Sequence, residues 1–113
     1  MTWKGMVVAA AGLVAMASTA AAQDARVEKG QKAFAAANCR MCHSVAGAGN
    51  PKGPLDDVGS KLTAADIKQW LTDPAAMTAR TKSERKPAMK LVKPLSADDL
   101  DSLVAYLTSL KKK

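Results

Sequence analysis

The two cysteines and the single histidine of this chain fall in one five-residue segment, Cys39-Arg40-Met41-Cys42-His43, the C-x-x-C-H segment. This clustering constrains the fold because the chain offers little else from which to build a core. From Gln23 to Lys113 only 21 of 91 residues are large and apolar. Domains this small usually recruit a disulfide, a metal or a cofactor to complete their core. We therefore expect whatever completes this core to bind at the C-x-x-C-H segment.

Residues 1–22 have the pattern of a secretory signal peptide. Lys4 precedes a short, alanine-rich apolar run from Gly5 to Ala17, and small residues lead to Ala20-Ala21-Ala22. A charged start, a short apolar centre and an A-x-A exit are typical of a cleaved leader, whereas a membrane anchor needs about 20 strongly apolar residues. We expect cleavage after Ala22, one domain at 23–113 and no stable membrane insertion afterwards. An uncleaved anchor is the alternative.

Positive charge dominates the predicted domain. It carries 16 Lys and Arg against 10 Asp and Glu, a net charge of +6, and Arg80 to Lys93 holds six basic residues against Glu84. No nucleic-acid motif accompanies this charge, so a nucleic-acid partner is not expected. An acidic protein or an anionic membrane surface fits the segment better, and a solvated charged loop is the alternative.

Apolar spacing and capping residues predict three helices and no sustained strand. The first spans Asp24 to Asn38, where apolar or small side chains recur every three or four residues. A second begins at a Thr63 cap and ends at Asp73-Pro74. The last begins at Ser96 and carries an apolar face through Leu110.

The segments between these helices are predicted loops. Glycine and proline crowd residues 38–57, which we expect to wrap around a bound group. Residues 74–94 contain few large apolar side chains and predict a long loop with at most one helical turn. The fold class is therefore all-α.

The C-x-x-C-H segment matches the attachment sequence of c-type haem. Two thiols at this spacing can add to the two vinyl groups of one porphyrin while the histidine ligates iron. A structural zinc site needs four protein ligands, and a redox dithiol needs a βαβ context. A Cys39–Cys42 disulfide would close too short a loop to add much stability. These alternatives fit less well than one covalent haem c.

The chain resembles monohaem class I c-type cytochromes of the bacterial periplasm over nearly its whole length after residue 22. The resemblance rests on the first helix, the C-x-x-C-H segment, the glycine- and proline-rich loop, a tryptophan in the middle helix, a methionine-bearing loop and the closing helix. It implies crossed N- and C-terminal helices, with short middle helices wrapped around one haem. Gly30, Phe34 and Tyr106 match the positions where those two helices meet.

The resemblance also assigns roles to individual residues. Cys39 and Cys42 would hold the haem and His43 would ligate its iron. The carbonyl of Pro54 would hold the His43 ring, although one residue fewer than usual separates this proline from the following leucine. Trp70 would pack against the haem or near its propionates, with a simple core role as the alternative.

The methionine candidates for the sixth iron ligand are Met77 and Met89. The chain has no second histidine, and Met41 lies inside the attachment motif. The resemblance favours Met89, in Pro87-Ala88-Met89, because the family ligand shortly precedes the final helix. A lysine ligand from Lys86 or Lys90 and an open site remain alternatives.

Ligation by His43 and Met89 leaves no iron position for a substrate, so the expected function is non-enzymatic, one-electron transfer between redox proteins in the periplasm. We expect a monomer whose acidic partner docks near Lys86 and Lys90. A gas-binding or sensing protein with an open or lysine-ligated site is the alternative. A subunit or domain of a larger redox complex would have the same sequence features.

Overall fold

The computed structural model describes residues 21–111. The predicted signal peptide lies outside the described residues except for Ala21 and Ala22, which are helical. Within the described part of the chain, no helix combines the length and the apolar character needed to cross a membrane.

The described residues form five α-helices, one 3₁₀ turn and a minimal hairpin. In chain order these are α1 (21–36), the 3₁₀ turn Cys39–Met41, β1 (Ser44–Val45), β2 (Ala48–Gly49), α2 (Val58–Lys61), α3 (Ala64–Thr72), α4 (Pro74–Thr81) and α5 (Ala97–Ser109). The expected helical architecture is confirmed. The two short strands pair antiparallel, with Ser44 opposite Gly49 and Val45 opposite Ala48.

One small core joins α1, α3 and α5. Its buried members are Phe34, Ile67, Leu71, Leu103, Tyr106 and Leu107. The rings of Phe34 and Tyr106 meet edge to face, with centroids 5.9 Å apart. Their contact links the first helix to the last, as the resemblance implied.

Gly30 lets α1 and α5 approach closely. A Cβ at this position would overlap the Ser102 carbonyl oxygen and lie 2.6 Å from Tyr106 Cβ. Glycine costs a helix about 1 kcal/mol in propensity relative to Ala. It is nevertheless suited to this position, because the crossing has no room for a methyl group. The predicted close approach is therefore confirmed.

Side-chain caps begin three of the helices. Thr63 accepts a hydrogen bond from the Asp66 amide at 3.1 Å, and Ser96 accepts one from the Asp99 amide at 3.1 Å. Both helix starts agree with the sequence prediction. The third cap is Asp73, which accepts from the Ala76 amide at 3.3 Å.

Helix α4 corrects the prediction that 74–94 is a loop with at most one turn. Asp73 caps it, Pro74 occupies the first turn, where proline fits a helix well, and Met77 is only 1% exposed. Arg80 reaches back to α3, 3.3 Å from Gln69 Oε1 and 3.4 Å from Asp66 Oδ1. These tertiary contacts stabilise a helix that its few apolar residues did not predict.

Candidate functional site

The C-x-x-C-H segment forms a tight turn at the end of α1. Asn38 adopts a left-handed conformation, φ 60°, which asparagine tolerates better than most residues. The Cys39 carbonyl then accepts hydrogen bonds from the amides of Cys42 at 3.2 Å and His43 at 3.0 Å. Residues three and four apart on a helical turn share one face. The turn therefore presents both thiols and the imidazole together.

Asn50 holds this turn from the glycine- and proline-rich loop. Its backbone N–H donates to the carbonyls of Arg40 at 3.0 Å and His43 at 3.1 Å, and its side-chain Nδ2 donates to the Met41 carbonyl at 3.0 Å. Residues 38–57 are therefore not one irregular loop, because they contain the 3₁₀ turn and the two short strands; that they wrap around a bound group stays a prediction. The sequence identified Asn50 only as a loop residue.

The carbonyl that holds the His43 ring belongs to Gly53 and not to Pro54. His43 Nδ1 lies 3.1 Å from the Gly53 oxygen. The backbone explains this correction: Ser44 donates to the Gly53 carbonyl at 3.0 Å, and Leu55 donates to the Ser44 carbonyl at 2.8 Å. Pro54 lies opposite Ser44 in a parallel β-bridge. Because successive carbonyls of an extended chain point to opposite sides, the Pro54 carbonyl points away from Ser44.

The hydrogen bond to Gly53 fixes which nitrogen of His43 can bind a metal. With Nδ1 donating to a carbonyl, Nε2 carries the free lone pair. Burial lowers the pKa of His43 below its ordinary value, the Gly53 carbonyl opposes this shift, and the positive charge of Arg85 adds to it. The imidazole is therefore neutral at neutral pH, which is the form that ligates iron.

The two thiols differ in their surroundings. Cys39 is partly buried and Cys42 is exposed, and neither forms a disulfide. Burial raises the pKa of the Cys39 thiol. Catalytic redox cysteines have lowered pKa values, so the environment of Cys39 argues against the redox dithiol considered above.

Two methionines were candidates for the sixth ligand, and the structure places them differently. Met77 is almost entirely covered by protein, with 1% of its surface exposed. Met89 is partly buried and packs against the same core cluster as Cys39. Met77 is therefore enclosed by protein atoms, whereas Met89 keeps part of its surface exposed.

Trp70 is partly buried on α3, between the buried positions Ile67 and Leu71.

Lys86 and Lys90 are exposed in the segment between α4 and α5. The apolar Val92 in the same segment is 51% exposed, and Met41 in the C-x-x-C-H segment is 62% exposed.

The residues present fit a covalently attached haem. The turn supplies two thiols and a neutral imidazole, which is the donor set that c-type haem requires. Large apolar side chains from the neighbouring loops pack against the core and keep part of their surface exposed; they include Leu55, Met89, Leu91 and Leu95.

Comparison with known proteins agrees with this assignment. Residues 27–111 match the family described as cytochrome c, and the chain belongs to that family, whose members carry covalently attached haem c. It is also similar to a cytochrome c oxidase subunit 2 from Alkalihalophilus pseudofirmus, at 28% identity over 92 residues. That match covers 74% of this chain and 25% of the relative, so the chain spans about a quarter of its length. No solved structure matches the chain significantly.

Proposed function

We propose that this cytochrome c is a periplasmic one-electron carrier whose haem iron is ligated by His43 and Met89. Haem, when bound, supplies an iron that accepts and returns one electron. Cys39 and Cys42 hold the group covalently, and residues 1–22 direct the chain to the periplasm and are removed. With His43 and Met89 holding the iron, no position would be left for a substrate, so the chain would transfer electrons without catalysing a reaction of its own.

One observation carries this proposal: Met89 keeps exposed surface while packing against the core cluster that also contacts Cys39. A thioether there completes the ligand set that His43 begins. Thioether ligation favours Fe(II) and raises the reduction potential relative to two imidazoles. The surrounding leucines exclude water, which keeps reorganisation between the two oxidation states small. Trp70, which is partly buried on α3, is proposed to pack against the haem or near its propionates.

Absorption spectra of the haem-loaded protein in both oxidation states test the ligand assignment. Ferric haem with a methionine ligand shows a weak far-red band that depends on the iron–sulfur bond. We expect Met89→Ala to abolish this band and lower the reduction potential. Met77→Ala is the matched control and should keep the band, although it removes a buried side chain. If Met77→Ala loses the band and Met89→Ala keeps it, the ligand is Met77. A wild-type protein without the band would favour the lysine-ligated or open site.

The partner is proposed to be an acidic redox protein that docks near Lys86 and Lys90. Both side chains are exposed, and Val92 adds exposed apolar surface in the same segment. Electrons tunnel efficiently only over short distances, so a partner must approach the haem edge closely. A positive surface there steers an acidic partner during association.

A second candidate is that the chain serves as the cytochrome part of a larger redox complex. The match to a quarter of a cytochrome c oxidase subunit 2 favours this candidate. Native mass spectrometry of the haem-loaded protein, purified gently from its source, separates the two cases. A free carrier is recovered as a monomer, whereas a complex component is recovered with partner chains.

A further inference from the structure

Arg85 makes a contact that links two distant parts of the chain. Its guanidinium donates a hydrogen bond from Nη2 to the carbonyl of Cys42, 43 residues away in the sequence. The same guanidinium packs against Gly53, because a Cβ at Gly53 would lie 2.5 Å from Arg85 Nη1. Gly53 also supplies the carbonyl that holds His43. Arg85 therefore contacts both the attachment turn and the loop that orients the imidazole.

The segment that contains Arg85 has no helix or strand to hold it. Residues 83–96 connect α4 to α5 without regular secondary structure, so side-chain contacts must fix their position. Met89 lies four residues after Arg85, a separation that spans about 14 Å at full extension. Fixing Arg85 on the Cys42 carbonyl therefore restricts where Met89 can lie relative to the C-x-x-C-H segment.

Arginine suits this position better than lysine. Its planar guanidinium presents several donors in a rigid arrangement, so it can donate to a carbonyl while both terminal nitrogens lie close to Gly53. It also carries a permanent positive charge. Because ferric haem is more positive than ferrous haem, a fixed positive charge nearby favours the reduced state.

We propose that Arg85 is a positioning residue of the haem site, which ties the Met89 segment to the attachment turn and places a fixed positive charge beside His43. This rests on the proposed function in that Met89 is taken as the iron ligand. The tie itself depends only on the contacts of Arg85 with the Cys42 carbonyl and Gly53.

The test compares Arg85→Gln with Lys86→Gln in the haem-loaded protein. Both changes remove one positive charge from adjacent exposed positions, but only the first removes the contact with Cys42. We expect the amides of Lys86 and residues 88–92 to exchange with deuterium about five-fold faster in Arg85→Gln, the effect of one exposed charge-assisted hydrogen bond. Lys86→Gln should leave their exchange unchanged. The midpoint potential should fall further in Arg85→Gln than in Lys86→Gln.

Arg85→Lys separates the two parts of the proposal. It keeps the charge and loses the flat guanidinium, so the potential should stay near the wild-type value while exchange remains faster. Equal exchange rates and equal potentials in Arg85→Gln and Lys86→Gln would overturn the proposal. A wild-type protein without the far-red band would show separately that Met89 is not the iron ligand. In that case the exchange measurement still decides whether Arg85 ties the Met89 segment to the attachment turn.

Discussion

Gly30→Ala tests the crossing of α1 and α5 on which the fold depends. The added methyl group would overlap the Ser102 carbonyl oxygen and lie 2.6 Å from Tyr106 Cβ. Neither atom can rotate away, because one belongs to the backbone and the other is attached to it. The two helices must therefore move apart, and overpacking of this kind typically costs about 1–3 kcal/mol.

Helix propensity acts in the opposite direction. Alanine in a helix interior is favoured over glycine by about 1 kcal/mol. Since both obstacles are rigid, we place the clash in the upper part of its range, and the net expectation is a loss of about 1–2 kcal/mol in the free energy of unfolding. For a domain of this size each kcal/mol lowers the melting temperature by about 4–8 °C.

Urea unfolding of the haem-loaded protein, followed by far-ultraviolet circular dichroism, measures this change. Gln31 is the matched control position, because it is exposed in the interior of the same helix and the difference between Gln31→Gly and Gln31→Ala reports propensity alone. Gln31→Gly should be about 1 kcal/mol less stable than Gln31→Ala, and Gly30→Ala should lose stability although propensity predicts a gain. A Gly30→Ala protein as stable as the wild type, or more stable, would show that the crossing has room for a methyl group and would refute this reasoning.

Two further predictions concern the partner surface and a helix cap. Changing Lys86 and Lys90 together to glutamate should slow electron transfer to an acidic partner at low ionic strength, with little change in the reduction potential. The same change at Lys32 and Lys68 is the control and should slow transfer less. Stopped-flow rates that depend neither on salt nor on these substitutions would place the docking face elsewhere. Ser96→Ala removes the side chain that accepts from the Asp99 amide and should cost about 1 kcal/mol in urea unfolding, and an unchanged midpoint would show that the cap does not stabilise α5.

Local signals were sufficient to predict most of the helical framework. The periodicity of the first and last helices and the caps at Thr63 and Ser96 act over a few residues, so they can be identified without knowledge of the fold. The first helix ends at residue 36 and not at Asn38. Its end depends on the left-handed conformation of Asn38, which the apolar pattern does not report.

Helix α4 shows where local signals fail. Its sequence contains a single large apolar residue, Met77, so periodicity gives no helical stripe. The side chain of Met77 is buried and Arg80 contacts α3, and both interactions exist only after α3 and α4 have packed. Tertiary contacts commonly override weak local preference in this way.

At the site, the sequence identifies the residue types but not the backbone partner of His43. The C-x-x-C-H spacing identifies two thiols and an imidazole, because the chemistry of attachment fixes their order. The acceptor for His43 depends on the register between Ser44 and residues 53–55. A one-residue difference in that register exchanges Pro54 for Gly53, and no pattern in the sequence determines it.

The remaining contacts of the site follow from the carbonyl groups of a single isolated turn. Because the turn does not continue as a helix, its later carbonyls find no amide within the turn and need donors from elsewhere. Asn50 supplies three hydrogen bonds and Arg85 supplies one; the accepting carbonyls are those of Arg40, Met41, Cys42 and His43. The need to satisfy these groups brings the loop that holds the imidazole and the segment that carries Met89 to the same turn. A motif of five residues thereby organises parts of the chain that lie far from it in the sequence.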